Sequence, residues 1–263
     1  MVCFMAFAGI AFSAETLILA STTSTDNTGL FGLIHPDFTK KTGIRVYVIA
    51  VGTGKALEIA RNGDADVVMV HARKLEDKFI ADGYGVNRRD VMYNDFVIVG
   101  PKDDPAGIKG MKSPTEAFKK IAESNVVFVS RGDNSGTNVK ELTIWGLSGV
   151  NPKGQKWYME TGRGMADTLI MMNDIEKAYT LCDRATYNSF TADGKIDFPV
   201  MVEGDPILFN PYGVIAVNPK TYPHVNYDGA MKYIKWITSK EVQKMIGNFK
   251  DSNGNDLFVP DAK

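Results

Sequence analysis

Three times along this chain a short run of β-branched and small apolar residues gives way to a loop of hydroxyl residues and glycine, and each loop opens a helical stretch. Ser21-Thr22-Thr23-Ser24-Thr25 follows Thr16–Ala20, Gly52-Thr53-Gly54 follows Ile44–Val51, and Ser130 to Thr137 follows Val126–Val129. A fourth loop, Thr161-Gly162-Arg163-Gly164, follows Trp157–Glu160 and carries fewer hydroxyls. Strands alternating with helices in this way predict an α/β fold. Helical spacing marks Leu30–Lys40 despite Pro36, Lys55–Asn62, Glu76–Asp82, Thr115–Ser124, Asn138–Leu147 and Met165–Asp174, with Met231–Thr238 and Glu241–Ile246 closing the chain. Val67–Val70, Phe96–Gly100, Ala178–Leu181 and Gly213–Val217 read as further strands.

Two breaks in composition interrupt the alternation. One is Pro101-Lys102-Asp103-Asp104-Pro105, and the other lies around Pro206, Pro211 and Pro219. Read as crossovers, they divide the chain into residues 15–98 plus 206–263 and an inserted unit of residues 99–205. Two such lobes joined by two strands close on a ligand by hinge motion.

The first residues differ from the rest. Val2 to Phe12 is almost wholly apolar and ends in Ser13, Ala14 and Glu15, the middle and end of a secretory signal over residues 1–14. The run is too short to span a bilayer. No Lys or Arg precedes it, as in a signal whose basic start is cut short. Its removal leaves Cys182 as the one cysteine, expected as a small buried residue with no disulfide partner in the chain.

The loops carry the chemistry. In an open α/β sheet ligands bind beyond the carboxyl ends of the strands, where these loops lie. The first N–H groups of each following helix are unpaired, and the helix dipole adds partial positive charge there. Ser and Thr hydroxyls donate, glycine lets backbone approach closely, and Arg131 supplies a planar cationic fork. Singly, each loop reads as a helix cap. Together, with Arg131 among them, they predict a site for a small anion. The formal net charge of −1 means that such an anion is held by local geometry, and it offers no basic field for nucleic acid. No aromatic wall accompanies the loops, which argues against a large organic ligand.

The Ser21–Thr25 run and Ser130-Arg131-Gly132-Asp133-Asn134-Ser135-Gly136-Thr137 resemble the tungstate-binding proteins of bacterial ABC importers. Asp64–Ala72 and the segment Asn94–Pro101 are similar to the same family, so the resemblance covers nearly all of the chain after its apolar start. It implies a type II-like, two-lobed periplasmic binding protein, each lobe a mixed sheet flanked by helices, with two crossover strands as hinge. It implies a monomer that needs no cofactor. Tungstate or molybdate would be its ligand, and a permease with its ATPase its partners. Carried over by motif, Thr22, Thr23 and Thr53 would donate from the first lobe, and Arg131, Ser135, Gly136 and Thr137 from the second. Gly164 and Met165 would add backbone donors.

Phosphate is the main alternative. It keeps a proton near neutral pH and gains from a buried carboxylate acceptor, whereas tungstate and molybdate need donors only. Asp133 is therefore decisive: facing the ligand it favours phosphate, and turned to Arg131 or a turn it favours tungstate. Catalysis is disfavoured. Gly52-Thr53-Gly54-Lys55-Ala56 is similar to a P-loop, but Ile49 stands at the first glycine position and Ala56 at the metal-binding hydroxyl. No nucleophile elbow surrounds Ser135. A cation site is also disfavoured. His35, His71 and His224 are scattered, and Asp251–Asp256 lacks the sixth-position glycine and closing Glu of a calcium loop. That segment reads as a turn. Trp145, Trp157 and Trp236 read as core, and Tyr212 as either cleft or hinge.

Overall fold

The computed structural model describes residues 15–175 and 177–262. The segment read as a signal, residues 1–14 with Cys3, lies outside them. In chain order the elements are β1 (Thr16–Thr22), α1 (Thr23–Asp26), α2 (Leu30–Thr42), β2 (Arg45–Val51), α3 (Thr53–Arg61), β3 (Val67–Val70) and α4 (Arg73–Ala81). There follow β4 (Gly85–Val99), α5 (Pro114–Glu123), β5 (Val127–Ser130), α6 (Gly136–Ser148), β6 (Tyr158–Glu160), α7 (Met165–Met172), β7 (Ala178–Asp183), α8 (Arg184–Ala192) and β8 (Val200–Val202). A 3-10 turn at Pro206–Leu208 leads into β9 (Phe209–Val217), and α9 (Tyr227–Ile237), α10 (Lys240–Gly247) and β10 (Val259–Pro260) complete the chain.

The strands run in the order β2-β1-β3-β9-β4-β7-β5-β6, with β8 and β10 added to β4. The sheet is mixed. β1 lies parallel to β2 and β3, and β5 parallel to β6 and β7, while β4 and β9 are antiparallel to their neighbours. β4 is the element that passes from one half to the other. Its first part, to Asp95, pairs with β9, and Phe96–Val99 pairs with β7.

Strand alternation fills both faces of each half, which is why these strands read as continuous apolar runs. In the first half Leu17, Leu19, Val67 and Met69 pack with Phe38, Tyr233 and Trp236 on one face. Ala20, Val68, Val70 and Ile215 pack with Leu57 and Phe79 on the other. In the second half Phe96, Ile98, Phe128 and Leu181 meet Trp145 and Trp157, and Val97, Val99, Val129 and Cys182 meet Leu169 and Met172 on the opposite face. The three tryptophans and Cys182 are thus core residues.

Packing differs in detail from the boundaries drawn at 98/99 and 205/206. Phe96, Val97, Ile98 and Leu208 all belong to the second half's cores. β4 also begins at Gly85 rather than Phe96. Its first part alternates half-buried with exposed positions and includes Arg88, Arg89 and Asp90, so it lacks the unbroken apolar signature of a strand covered on both faces. Tyr212 is wholly buried in β9 and stacks on His71 with ring centroids 4.7 Å apart. It belongs to the crossover core.

Candidate functional site

Register brings the loops level. Thr22 pairs with Val51 across β1 and β2, so Thr23 and Gly52 leave the sheet side by side. Ser130 pairs with Glu160, so Arg131 and Thr161 do the same in the second half. The two sets of loops then face one another. A Cβ on Gly52 would stand 3.6 Å from Asp133 Oδ2 and 3.7 Å from Ser135 Cβ, and one on Gly164 would stand 3.8 Å from Thr23 Oγ1. All nine residues predicted for the site sit in these four loops or the first turns after them.

Their groups divide into two kinds. The first intrahelical hydrogen bonds are Ala56 N to Gly52 O in α3, Val139 N to Ser135 O in α6 and Thr168 N to Gly164 O in α7. The N–H groups of Thr53, Gly54, Gly136, Thr137 and Met165 precede them and are free of the helix ladder. Thr53 Oγ1 and Thr137 Oγ1 are buried and, among the described residues, have no hydrogen-bond partner. Thr22 and Ser135 instead cap their helices, Thr22 Oγ1 accepting from Thr25 N at 3.4 Å and Ser135 Oγ from Asn138 N at 3.2 Å. Ser135 keeps its own O–H to give, whereas Thr22 Oγ1 also lies 2.7 Å from Thr25 Oγ1 and 3.2 Å from Ser24 Oγ, inside its own loop.

Arg131 is 3% exposed. Its Nη2 donates to Asp133 Oδ2 at 2.5 Å and its Nε to Arg163 O at 3.3 Å. The other oxygen of Asp133 accepts from Ser135 N at 3.1 Å. Both carboxylate oxygens are thus engaged inside the loop, orienting the guanidinium. The fourth loop is fastened to the third, since Thr161 N donates to Ser130 O and Gly162 N to Arg131 O.

These features describe two α/β halves whose hydroxyl- and glycine-rich loops face each other. A family model described as a PBP superfamily domain matches residues 11–241. The chain belongs to that superfamily. It is similar to the crystal structure of the tungstate ABC transporter from Geobacter sulfurreducens, at 54% identity and a TM-score of 0.80 over 89% of this chain and 98% of that one. It is similar to the tungstate-binding protein TupA from Desulfovibrio alaskensis, at 47% identity and a TM-score of 0.80 over 95% of this chain and all of that one. The tungstate-binding protein TupA of Peptoclostridium acidaminophilum is 47% identical over 94% of this chain and 86% of its own length.

Two buried side chains of this PBP superfamily protein brace the loops and stand outside the nine residues predicted for the site. Glu141 of α6 accepts from Ser130 Oγ at 2.6 Å, Tyr158 OH at 2.7 Å and Trp145 Nε1 at 3.1 Å. Burial pushes its pKa up to about 7, with those donors pulling it back. His71 follows β3 at the same sheet edge as the loops. Asn210 Nδ2 donates to Asn94 Oδ1, which turns Asn210 Oδ1 to the ring, so His71 Nδ1 donates to it at 2.9 Å. Nε2 then accepts from Ser24 Oγ at 3.3 Å. Burial lowers the pKa of His71, Asp183 opposes this, and Arg131 and Lys140 add to it. A position just past the carboxyl end of a core strand is the signal that could have pointed to His71.

On either side of this zone the halves stand apart. One cavity of about 540 Å³ is lined by Thr23 and Asn27 from the first half and Gly164, Ala166 and Asp167 from the second. Another of about 380 Å³ is lined by His71, Gly136, Lys140 and Asn210. Among the described residues no three His, Cys, Asp or Glu side chains gather as a cation site.

Proposed function

We propose that the protein binds one tetrahedral oxyanion, tungstate or the closely similar molybdate, between its two halves and delivers it to the permease of an ABC importer. The observation that carries this reading is the pair of orphan hydroxyls, Thr53 Oγ1 and Thr137 Oγ1, buried at the first turns of helices from opposite halves. A buried polar group without a partner costs about 1–3 kcal/mol, and an anion held at the first turns of both helices would satisfy the two together. The same loops offer donors: free N–H groups of three helices, the hydroxyls of Thr23 and Ser135, and the Arg131 fork. A fully deprotonated dianion suits such a set. Asp133 is committed to Arg131 and Ser135, which leaves a protonated phosphate no carboxylate set aside to accept its proton.

β4 and the chain around Pro206–Phe209 are the two crossovers, and their bending would open the halves. Arg184 of α8 grips Asp95 with both Nε and Nη2, at 2.5 and 2.7 Å, at the point where β4 changes partners. The tungstate-binding relatives support the ligand assignment; the receptor we propose is periplasmic and monomeric and works with a separate permease and ATPase. Calorimetric titration of the dialysed protein tests it. Tight one-to-one binding of tungstate and molybdate, with no response to phosphate, is expected. Phosphate binding without a tungstate response would refute the reading.

A further inference from the structure

The two orphan threonines each have a glycine beside them. Thr53 is followed by Gly54 in the first turn of α3, and Thr137 is preceded by Gly136 in the first turn of α6. Neither glycine has the left-handed backbone that would require it. A helical position without that need ordinarily favours Ala over Gly. What both share is an approach to the opposite half. A Cβ on Gly54 would stand 3.0 Å from the backbone oxygen of Asn134 in the Arg131 loop. A Cβ on Gly136 would stand 3.0 Å from His71 Cε1 and 3.1 Å from His71 O.

The surfaces these glycines meet are held in place. Asn134 has φ +58°, and Ser135 N, which shares a planar peptide with the Asn134 carbonyl, donates to Asp133 Oδ1 at 3.1 Å, so that carbonyl is fixed by the turn. His71 is hydrogen-bonded through both ring nitrogens to Ser24 and Asn210, and Tyr212 stacks on it. The two contacts are reciprocal: Gly54 of the first half meets a loop of the second, and Gly136 of the second meets a residue of the first.

We infer that Gly54 against Asn134 and Gly136 against His71 are the stops that end closure, and that they set the spacing of the facing donors and hence the size of tetrahedral anion the protein selects. The inference rests on the oxyanion reading above. With glycine at both stops the halves approach until backbone or a pinned ring arrests them. A methyl group at either position holds them apart by a few tenths of an ångström. A smaller anion cannot bridge the wider gap with full-length hydrogen bonds, and a larger one loses less. Selectivity therefore lies in the stops as well as in the donors.

The test compares the full chain with Gly54→Ala and with Gly136→Ala, titrated calorimetrically with tungstate and with chromate, a smaller tetrahedral dianion. Each variant is expected to bind tungstate roughly tenfold to a hundredfold more weakly. The loss for chromate should be larger, so that the tungstate-to-chromate ratio rises. The ligand-free melting temperature of Gly54→Ala should stay close to that of the wild type, because without an anion the halves part and release the contact. Unchanged affinities, or equal losses for the two anions, would overturn the inference while wild-type tungstate binding stood. A wild type that binds no tetrahedral oxyanion would overturn the function reading and this inference with it.

Discussion

Thr137→Val separates a ligand hydroxyl from a structural one. Valine keeps the shape and the branched Cβ of threonine and removes only the O–H. Thr137 is 1% exposed and its Oγ1 has no partner among the described residues, so the ligand-free protein loses no hydrogen bond. Relief of an unsatisfied buried hydroxyl should stabilise the closed, empty form by about 1–3 kcal/mol. Binding should move the other way. A hydrogen bond to a charged partner contributes about 1.5–3 kcal/mol net, which at about 1.4 kcal/mol per tenfold is a loss of roughly 10- to 150-fold in tungstate affinity. Urea unfolding without ligand and calorimetry with tungstate read the two terms separately. Opposite signs are the signature of an anion-binding hydroxyl. A less stable variant with wild-type affinity would refute the reasoning, because the hydroxyl would then serve the fold.

Arg131→Lys should weaken tungstate binding at least about tenfold, because an ammonium cannot donate along the guanidinium's fixed directions to Asp133, Arg163 O and the anion together. Unaltered affinity in calorimetry would remove Arg131 from the site. Glu141 gives a pH prediction. Its folded pKa of about 7 lies above an ordinary 4.5, so the folded state holds a proton that the unfolded state has released between those values. That stabilisation is complete below about pH 4.5 and lost as pH rises through 7, amounting to roughly 3 kcal/mol. Glu141→Gln should remove this falling contribution from the stability profile in urea unfolding, leaving that of Glu76, which burial also raises to about 7, against the opposite slope of His35, which burial lowers to about 4. A profile identical to that of the wild type would show that Glu141 does not titrate there.

The sequence alone determined the α/β alternation, the hydroxyl- and glycine-rich loops that open the helices of the candidate site, and the place of Arg131 in one of them. All three are local: a helix start shows in its own few residues, because its first N–H groups must be served by neighbours in the chain. Strand runs with both faces covered, such as Val67–Val70, are legible for the same reason, whereas the half-exposed start of β4 is not. Only the tertiary structure decided which hydroxyls are free. Thr22 and Thr53 look alike as residues beside a helix start, yet Thr22 caps its helix while Thr53 is left without a partner. The tertiary structure also decided that Asp133 is spent on Arg131 and Ser135, that His71 comes to lie against Gly136, and that Gly54 meets Asn134. The last two contacts join residues from different halves of the chain. No local spacing encodes them, because a side chain's partner across a cleft is set by how two separately packed cores meet.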